Sequence, residues 1–419
     1  MNKFKILLAA SMVLVGCTPN IKTYTNQYGE VYDYGDCCRY ELPEKPIPKP
    51  NKPTLQTTLD RYIDEPNIFN AFKVQSASKP HQFQSQLRTE PYITKQLETT
   101  ALLSYLLYED GRIVVDQVSP SNRFGEQLSD STPLPSRSVG KTLTSYLLGH
   151  AICEGVIDSL DSRIDDWPMA SGTIYDGQRL IDLVNMRAGD QNFAYQNRVL
   201  VPEENPRGIR HVPLEQHFRY AKGNASDRRY YNYNDFAVNT VVNYISFKTG
   251  YRYKEFVTEF INKKIGNEHP LYILAVDGNR APPSGTPDNG VHISNFSASR
   301  YDFLRIGRAM LYDWQNDTCE GKYLKEIYER RQRKDRPDPR YQRDLRAHNW
   351  PNHLYNSYGG YFHTDLYKAP ERKIMAMDGF GGQIIVIDFE NGRIVVTNAI
   401  YNDFNWKRIV RDVMVNGKI

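Results

Sequence analysis

The order of hydrophobic patterns predicts an α+β domain: one sheet built from both ends of the globular part, with a mainly helical lobe inserted between them. Three observations carry this. "TALLSYLLYEDGRIVVDQVS" reads as two strands around Asp110-Gly111, a dipeptide that favours tight hairpin turns. Strand patterns return late, in "KIMAMDG", "QIIVIDF" and "RIVVTNAI", with Asn391-Gly392 as another tight turn. Between these two groups the apolar residues recur mostly at helical spacing.

Taken from the N-terminus, "MNKFKILLAASMVLVGC" has Lys3 and Lys5, an apolar run from Ile6 to Val15, then Gly16 and Cys17. A charged start, a short apolar run and a small residue before the cut describe a secretory signal, not a membrane span. Leu14-Val15-Gly16-Cys17 also resembles a bacterial lipobox. That resemblance implies a signal over residues 1–16, cleavage before Cys17 and lipid attachment to it, which anchors the mature protein to a membrane. Lipoproteins with Asp at the second mature position stay at the inner membrane. Thr18 stands there instead, which implies the outer membrane, facing the periplasm or the surface, if the cell is Gram-negative. Removing Lys3 and Lys5, with no acid before Cys17, takes the net charge from +4 to +2.

Residues 17–56 read as a tether. "ELPEKPIPKPNKP" (Glu41 to Pro53) has a proline at nearly every second or third position, which keeps a chain extended and semi-rigid. Residues 57–419 are the globular part. After the first hairpin come helical patterns at Ser138–Ile157, in "RLIDLVNMRAG" ending at Gly189, and at Tyr233–Lys248, Tyr253–Lys264 and Ser297–Asp313. "NDFNWKRIVRDVMV" closes the chain as a helix.

Composition narrows the function. With 419 residues and 40% hydrophobic content the chain can bury a sizeable core. No basic stripe stands out, so nucleic-acid binding has no support. No Gly-rich phosphate loop, zinc motif or calcium loop is present, and neither a metal nor a cofactor is expected. Cys37 and Cys38 are adjacent, whereas Cys153 and Cys319 are isolated; their spacing defines no disulfide framework. His150 reads as polar surface, and no His/Asp spacing suggests a Ser-His-Asp triad.

The chemistry centres on Ser138 and Lys141 in "SRSVGKTLTSYLLGH". A serine hydroxyl needs a base to become a nucleophile, and three residues apart on a helix the two side chains share a face. Burial and the positive end of the helix dipole lower a lysine's pKa, so that it can accept a proton. First-turn N–H groups could hold an oxyanion. Alone, the same spacing also describes a capped surface helix.

The longer stretch "SRSVGKTLTSYLLGHAICEGVIDSLDSRIDDWP" resembles the serine β-lactamase and penicillin-binding-protein superfamily. "DLVNMRAG" and "SASRYDFLRIGRAML" resemble the later "LLxMxSG" and "SARDLARFG" helices of its class C-like branch. The resemblance runs from about residue 95 to 415. It implies a β-lactamase/transpeptidase-like fold, with an antiparallel sheet flanked by helices and an inserted helical lobe. It also implies a site tyrosine. In "RYYNYNDFAVNTVVNYISFKTG", Tyr233-Asn234-Asp235 fits the family distance and Tyr231 is the runner-up. Asp235 stands where Asn or Ser is usual.

The family's Lys-Thr-Gly is absent; Met377-Asp378-Gly379 occupies its place. Gly379-Phe380-Gly381-Gly382-Gln383 instead is similar to the "GxxGQ" loop of the 6-aminohexanoate-dimer hydrolase and esterase group. That similarity implies an oxyanion hole from the N–H groups of Ser138 and Phe380, with Asp235, Gly379, Gly381, Gly382 and Gln383 lining the substrate cleft. The expectation is a cell-envelope serine hydrolase acting on a small amide, ester or peptide-like substrate. The alternatives are a D-Ala-D-Ala-type peptidase and a catalytically idle binding lipoprotein.

Overall fold

The computed structural model describes residues 23–25, 31–33, 54–68, 71–195, 198–201, 205–210, 214–276, 291–334 and 354–418. The signal, Cys17, Thr18, Cys37, Cys38 and the proline-rich run lie outside these residues. A short hairpin, β1 (Thr23–Thr25) and β2 (Val31–Asp33), falls within the expected tether.

The globular part opens with α1 (Leu55–Ile63), capped by the Thr54 hydroxyl, and α2 (Glu65–Ile68). β3 (Phe72–Val74), β4 (Gln84–Ser85) and α3 (Pro91–Thr99) follow. β5 (Leu102–Glu109) and β6 (Arg112–Val118) form the expected hairpin. Asp110 and Gly111 both have positive φ, 48° and 82°, as a two-residue turn between right-twisted strands requires.

β7 (Leu134–Pro135) leads into α4 (Val139–Cys153). The helix expected to end at Gly189 is only α5 (Leu180–Val184). The chain turns left-handed at Met186 (φ 57°), because Asn185 is drawn off to bond the Arg330 carbonyl and the Gly360 N–H. β8 (Ala194–Tyr195), β9 (Arg198–Val201) and β10 (Asn205–Arg210) make a small sheet that the sequence patterns do not announce.

α6 (Leu214–Tyr220), α7 (Asp235–Lys248) and α8 (Tyr253–Phe260) come next. α8 continues as a π-helical turn and stops at left-handed Gly266. β11 (Leu271–Val276) and β12 (Val291–Ala298) join β3 and β7 in a four-stranded sheet ordered β3-β11-β12-β7. α9 (Arg300–Gln315) and α10 (Cys319–Glu329) pack as a pair. Then come β13 (Gln332–Arg333), β14 (Tyr355–Gly359), β15 (Phe362–Leu366), β16 (Ile374–Gly379), β17 (Gln383–Asp388) and β18 (Arg393–Ala399). The C-terminal helix spans Lys407–Asp412 and Val413–Asn416.

The main sheet is ordered β13-β14-β15-β16-β17-β18-β5-β6-β4, so strands from both ends of the globular part do meet, at β18–β5. All its pairs are antiparallel except β4–β6. Its central strands are buried on both faces, which is why they read as unbroken apolar runs. Met375, Met377, Ile385, Ile387, Ile394 and Val396 face the core shared with α4, α7 and α9. Ile374, Ala376, Ile384, Val386 and Val395 face a second core, with Ile93 and Leu97 of α3 and Ile409 and Val413 near the C-terminus. Among the described residues no helix is long and apolar enough to cross a membrane.

Cys153 and Cys319 form a disulfide, joining the end of α4 to the start of α10. His150, expected at the surface, is buried beside it. Its Nδ1 lies 2.9 Å from Glu320 Oε1, and its ring stacks on Phe256. The one-sided apolar pattern of α4 hid this, because α10 covers the polar face as well.

Candidate functional site

The site forms where the N-termini of α4 and α7 meet the end of β16. Ser138 is the N-cap residue of α4. The chain reaches it through Arg137 in a left-handed conformation (φ 50°). Ser136 pins the turn: its N–H donates to the Phe296 carbonyl at 2.7 Å and its Oγ accepts from the Phe296 N–H at 2.8 Å. Gly140 follows from close packing. A Cβ there would stand 2.0 Å from the Ser294 carbonyl oxygen on β12, a distance no side chain can occupy.

One helical turn carries Lys141 back over Ser138, with Nζ donating to Oγ at 3.0 Å. Its side chain is only 4% exposed, and Nζ is also 2.7 Å from Asp235 Oδ1. Tyr233 completes the cluster. Its ring lies 5.1 Å from Nζ, and its phenol is close enough to Ser138 and Lys141 for both to favour its ionised form. Tyr231 packs instead into the core against Tyr358, at 5.0 Å between ring centres. Tyr233 is thus the tyrosine brought to the serine.

Electrostatics corrects one expectation. Burial does oppose the charge on Lys141, but Asp235 and Tyr233 outweigh it, and its pKa is raised rather than lowered. Lys141 is an ammonium in this arrangement. Burial raises the Tyr233 phenol, although Lys141 pulls the other way. The resting cluster is therefore a neutral tyrosine and serine bridged by a lysine–aspartate ion pair. Helix dipole and burial are local to α4, whereas the acid two residues beyond the tyrosine reaches Lys141 only through the fold.

Tyr233 is held by a buried network that the sequence reading did not include. Asp190 accepts from Asn232 at 2.8 Å, Asn234 at 3.0 Å and Tyr175 at 3.0 Å. Asn232 and Asn234 flank Tyr233 directly. Asn234 also caps α7 by accepting from the Ala237 N–H. Behind them His217 Nε2 meets the Tyr175 hydroxyl at 2.9 Å. Burial lowers the His217 pKa to about 3, so the ring is neutral. The alternating Tyr-Asn-Tyr-Asn of residues 231–234 was the visible signal: short amides on both sides of one tyrosine suit anchoring.

The glycine-rich loop is the tip of the β16–β17 hairpin, with Gly379 paired to Gln383. A Cβ on Gly379 would lie 2.6 Å from the Ser136 carbonyl oxygen, so glycine is what lets this tip press against the serine turn. Gly381 and Gly382 have φ of 84° and 97°, conformations that cost other residues strain. Phe380 follows Gly379 in the tip, beside the serine turn. Gln383 does not line a cleft. It is fully buried, its amide donating to the Ala399 carbonyl and accepting from Asn398, and it braces the hairpin. Met377 is buried on the face toward α4. Alternation turns Asp378 to the other face, where burial raises its carboxyl to about 7. Among the described residues no cluster of His, Cys, Asp or Glu could hold a metal.

No protein-family model and no curated protein matches the chain. Solved structures do. A protein assigned as a 6-aminohexanoate-dimer hydrolase from Bacillus anthracis is similar at 16% identity and a TM-score of 0.61, over 86% of this chain and 92% of that one. One assigned as a β-lactamase from Bacteroides dorei is similar at 13% identity and 0.53, over 77% and 94%. A mutant simvastatin synthase from Aspergillus terreus is similar at 14% identity and 0.51, over 77% and 94%. At such identities the likeness speaks for architecture alone, and the chain adopts the β-lactamase/transpeptidase-like fold.

Proposed function

We propose that the protein is a serine hydrolase of the cell envelope that cleaves a linear amide or carboxylic ester through an acyl-enzyme on Ser138. The observation that carries this is the buried cluster in which Lys141 Nζ lies 3.0 Å from Ser138 Oγ and 5.1 Å from the Tyr233 ring. With Lys141 already protonated, Tyr233 acts as a relay. Ser138 Oγ bonds to the substrate carbonyl carbon and gives its proton to Tyr233 Oη, while Tyr233 passes its own proton to the leaving nitrogen or oxygen, whose bond to that carbon breaks to release the amine or alcohol. The Lys141 ammonium steadies the negative charge that develops on the phenol. The N–H groups of Ser138 and Phe380 hold the oxyanion, an interaction worth about a hundredfold or more in rate per donor. Water then attacks the acyl-enzyme through the same relay in reverse. Every group used belongs to this chain.

Met377 in place of a lysine removes the cation that would bind a β-lactam or peptide carboxylate, which favours linear amides and carboxylic esters. Similarity to the protein assigned as a 6-aminohexanoate-dimer hydrolase favours the amide side. The Cys153–Cys319 disulfide suits an oxidising compartment, in keeping with the lipobox and anchoring through Cys17. The test is steady-state turnover of p-nitrophenyl esters, anilides and penicillin by the wild type, Ser138→Ala and Lys141→Ala. Ester or anilide turnover lost in both variants is expected. A stable penicillin adduct with slow release would instead favour a D-Ala-D-Ala-type peptidase, and no turnover of any probe would favour a binding protein.

A further inference from the structure

Arg137 is a strained residue next to the nucleophile, and its supports come from the far N-terminus of the domain. A non-glycine residue at φ 50° sits in the left-handed region, a strained conformation that persists only where its surroundings dictate it. Here they do. Arg137 Nη1 donates to Glu65 Oε1 at 2.9 Å. Glu65 is 2% exposed, and burial pushes its carboxyl up against the opposing pull of Arg137. The guanidinium also lies 4.7 Å above the ring of Tyr62, a favourable cation–π geometry.

Of these two helices, α1 also reaches the hairpin tip, through Tyr62. The buried Tyr62 hydroxyl donates to the Ile400 carbonyl at 3.3 Å and stands 3.0 Å from where a Cβ on Gly381 would be. Between the two supports, Gly379 presses on Ser136 and on the Arg137 Cβ. Leu59 anchors α1 in a small core with Leu103, Leu134 and Ile400. Thus α1 and α2 touch the residue before Ser138 and the residue after Phe380, the two proposed oxyanion donors.

We infer that the N-terminal helix pair α1–α2 is a positioning element for the oxyanion hole, with Glu65 and Tyr62 as its positioning residues. Glu65 fixes the Arg137 turn that aims the Ser138 N–H, and Tyr62 backs the tip that presents the Phe380 N–H. This rests on the hydrolase reading above. The helices immediately follow the expected tether, so the segment that would join the domain to its anchor also shapes its active site.

The experiment measures kcat and KM of the full chain for a p-nitrophenyl ester in Glu65→Gln, Arg137→Gly, the double variant and Tyr62→Leu, with melting temperatures alongside. Glycine accepts φ 50° unaided, so the Arg137→Gly background should no longer need Glu65. Expected for Glu65→Gln is a loss of about tenfold or more in kcat with KM within about twofold, and no further loss when it is added to Arg137→Gly. Tyr62→Leu should also lower kcat more than KM, giving a second reading if Glu65→Gln folds poorly. Unchanged kcat in folded Glu65→Gln and Tyr62→Leu overturns the inference, as does an equal, additive loss from Glu65→Gln in the Arg137→Gly background. Wild type inert towards every ester and anilide overturns the hydrolase reading, and the positioning role with it. Active wild type with indifferent variants overturns the positioning role alone.

Discussion

Asp235→Asn perturbs the site at the residue that decides the charge on Lys141. Two opposing effects act on that ammonium: burial, which disfavours it, and Asp235 with Tyr233, which favour it and win. Substituting Asn keeps the shape and removes the carboxylate charge. An opposite charge at such range moves a pKa by roughly 1–3 units. The Asp235 side chain is 39% exposed, so solvent screens part of its field and the lower half of that range, about 1–2 units, is the expected fall. Because the folded pKa of Lys141 is raised, the charged form persists at neutral pH and is lost only as pH rises through that value. In Asp235→Asn this loss moves towards neutrality. If the relay needs the ammonium, Asp235→Asn loses kcat/KM for a p-nitrophenyl ester at an alkaline pH where the wild type still holds its activity. A pH–rate series on both proteins reads this directly. An alkaline limb in the same place, with activity retained, would refute the claim that Asp235 sets the lysine's charge.

Two further outcomes follow from the supports of the site. Asp190→Ala leaves two buried amides and a tyrosine hydroxyl without their shared acceptor, and should cost about 3 kcal/mol or more. Chemical denaturation measures that loss, and kcat should fall with it because Tyr233 is freed on both sides. Opening the Cys153–Cys319 bridge, by reductant or by paired serine substitutions, should remove about 2–5 kcal/mol. An unchanged melting temperature would show that α4 and α10 hold together without it.

Much of this molecule was legible because it is local. The β5–β6 hairpin is announced by Asp110-Gly111, and β16 to β18 by apolar runs too short for helices. The approach of Lys141 to Ser138 follows from three-residue spacing on one helix. What stayed hidden depends on contacts between distant segments. Lys141 reads as a group that loses its proton until Asp235 is placed beside it. His150 reads as surface until α10 is laid across α4. The five-residue α5 looks longer because Asn185 leaves the helix for partners in the β14–β15 turn and at the end of α10. The strands β8 to β12 were missed because they are short or pair across long separations, which leaves little period to read. Glu65 and Arg137 carry no mutual signal, since only the fold brings the start of the domain to the serine turn.

The central claim is that Ser138 is an activated nucleophile. Its most direct measurement is the intact mass of the protein after incubation with a fluorophosphonate, beside Ser138→Ala. A single adduct on the wild type that is absent from the folded variant is the predicted result. No adduct on folded wild type, or an adduct that survives Ser138→Ala, would contradict it.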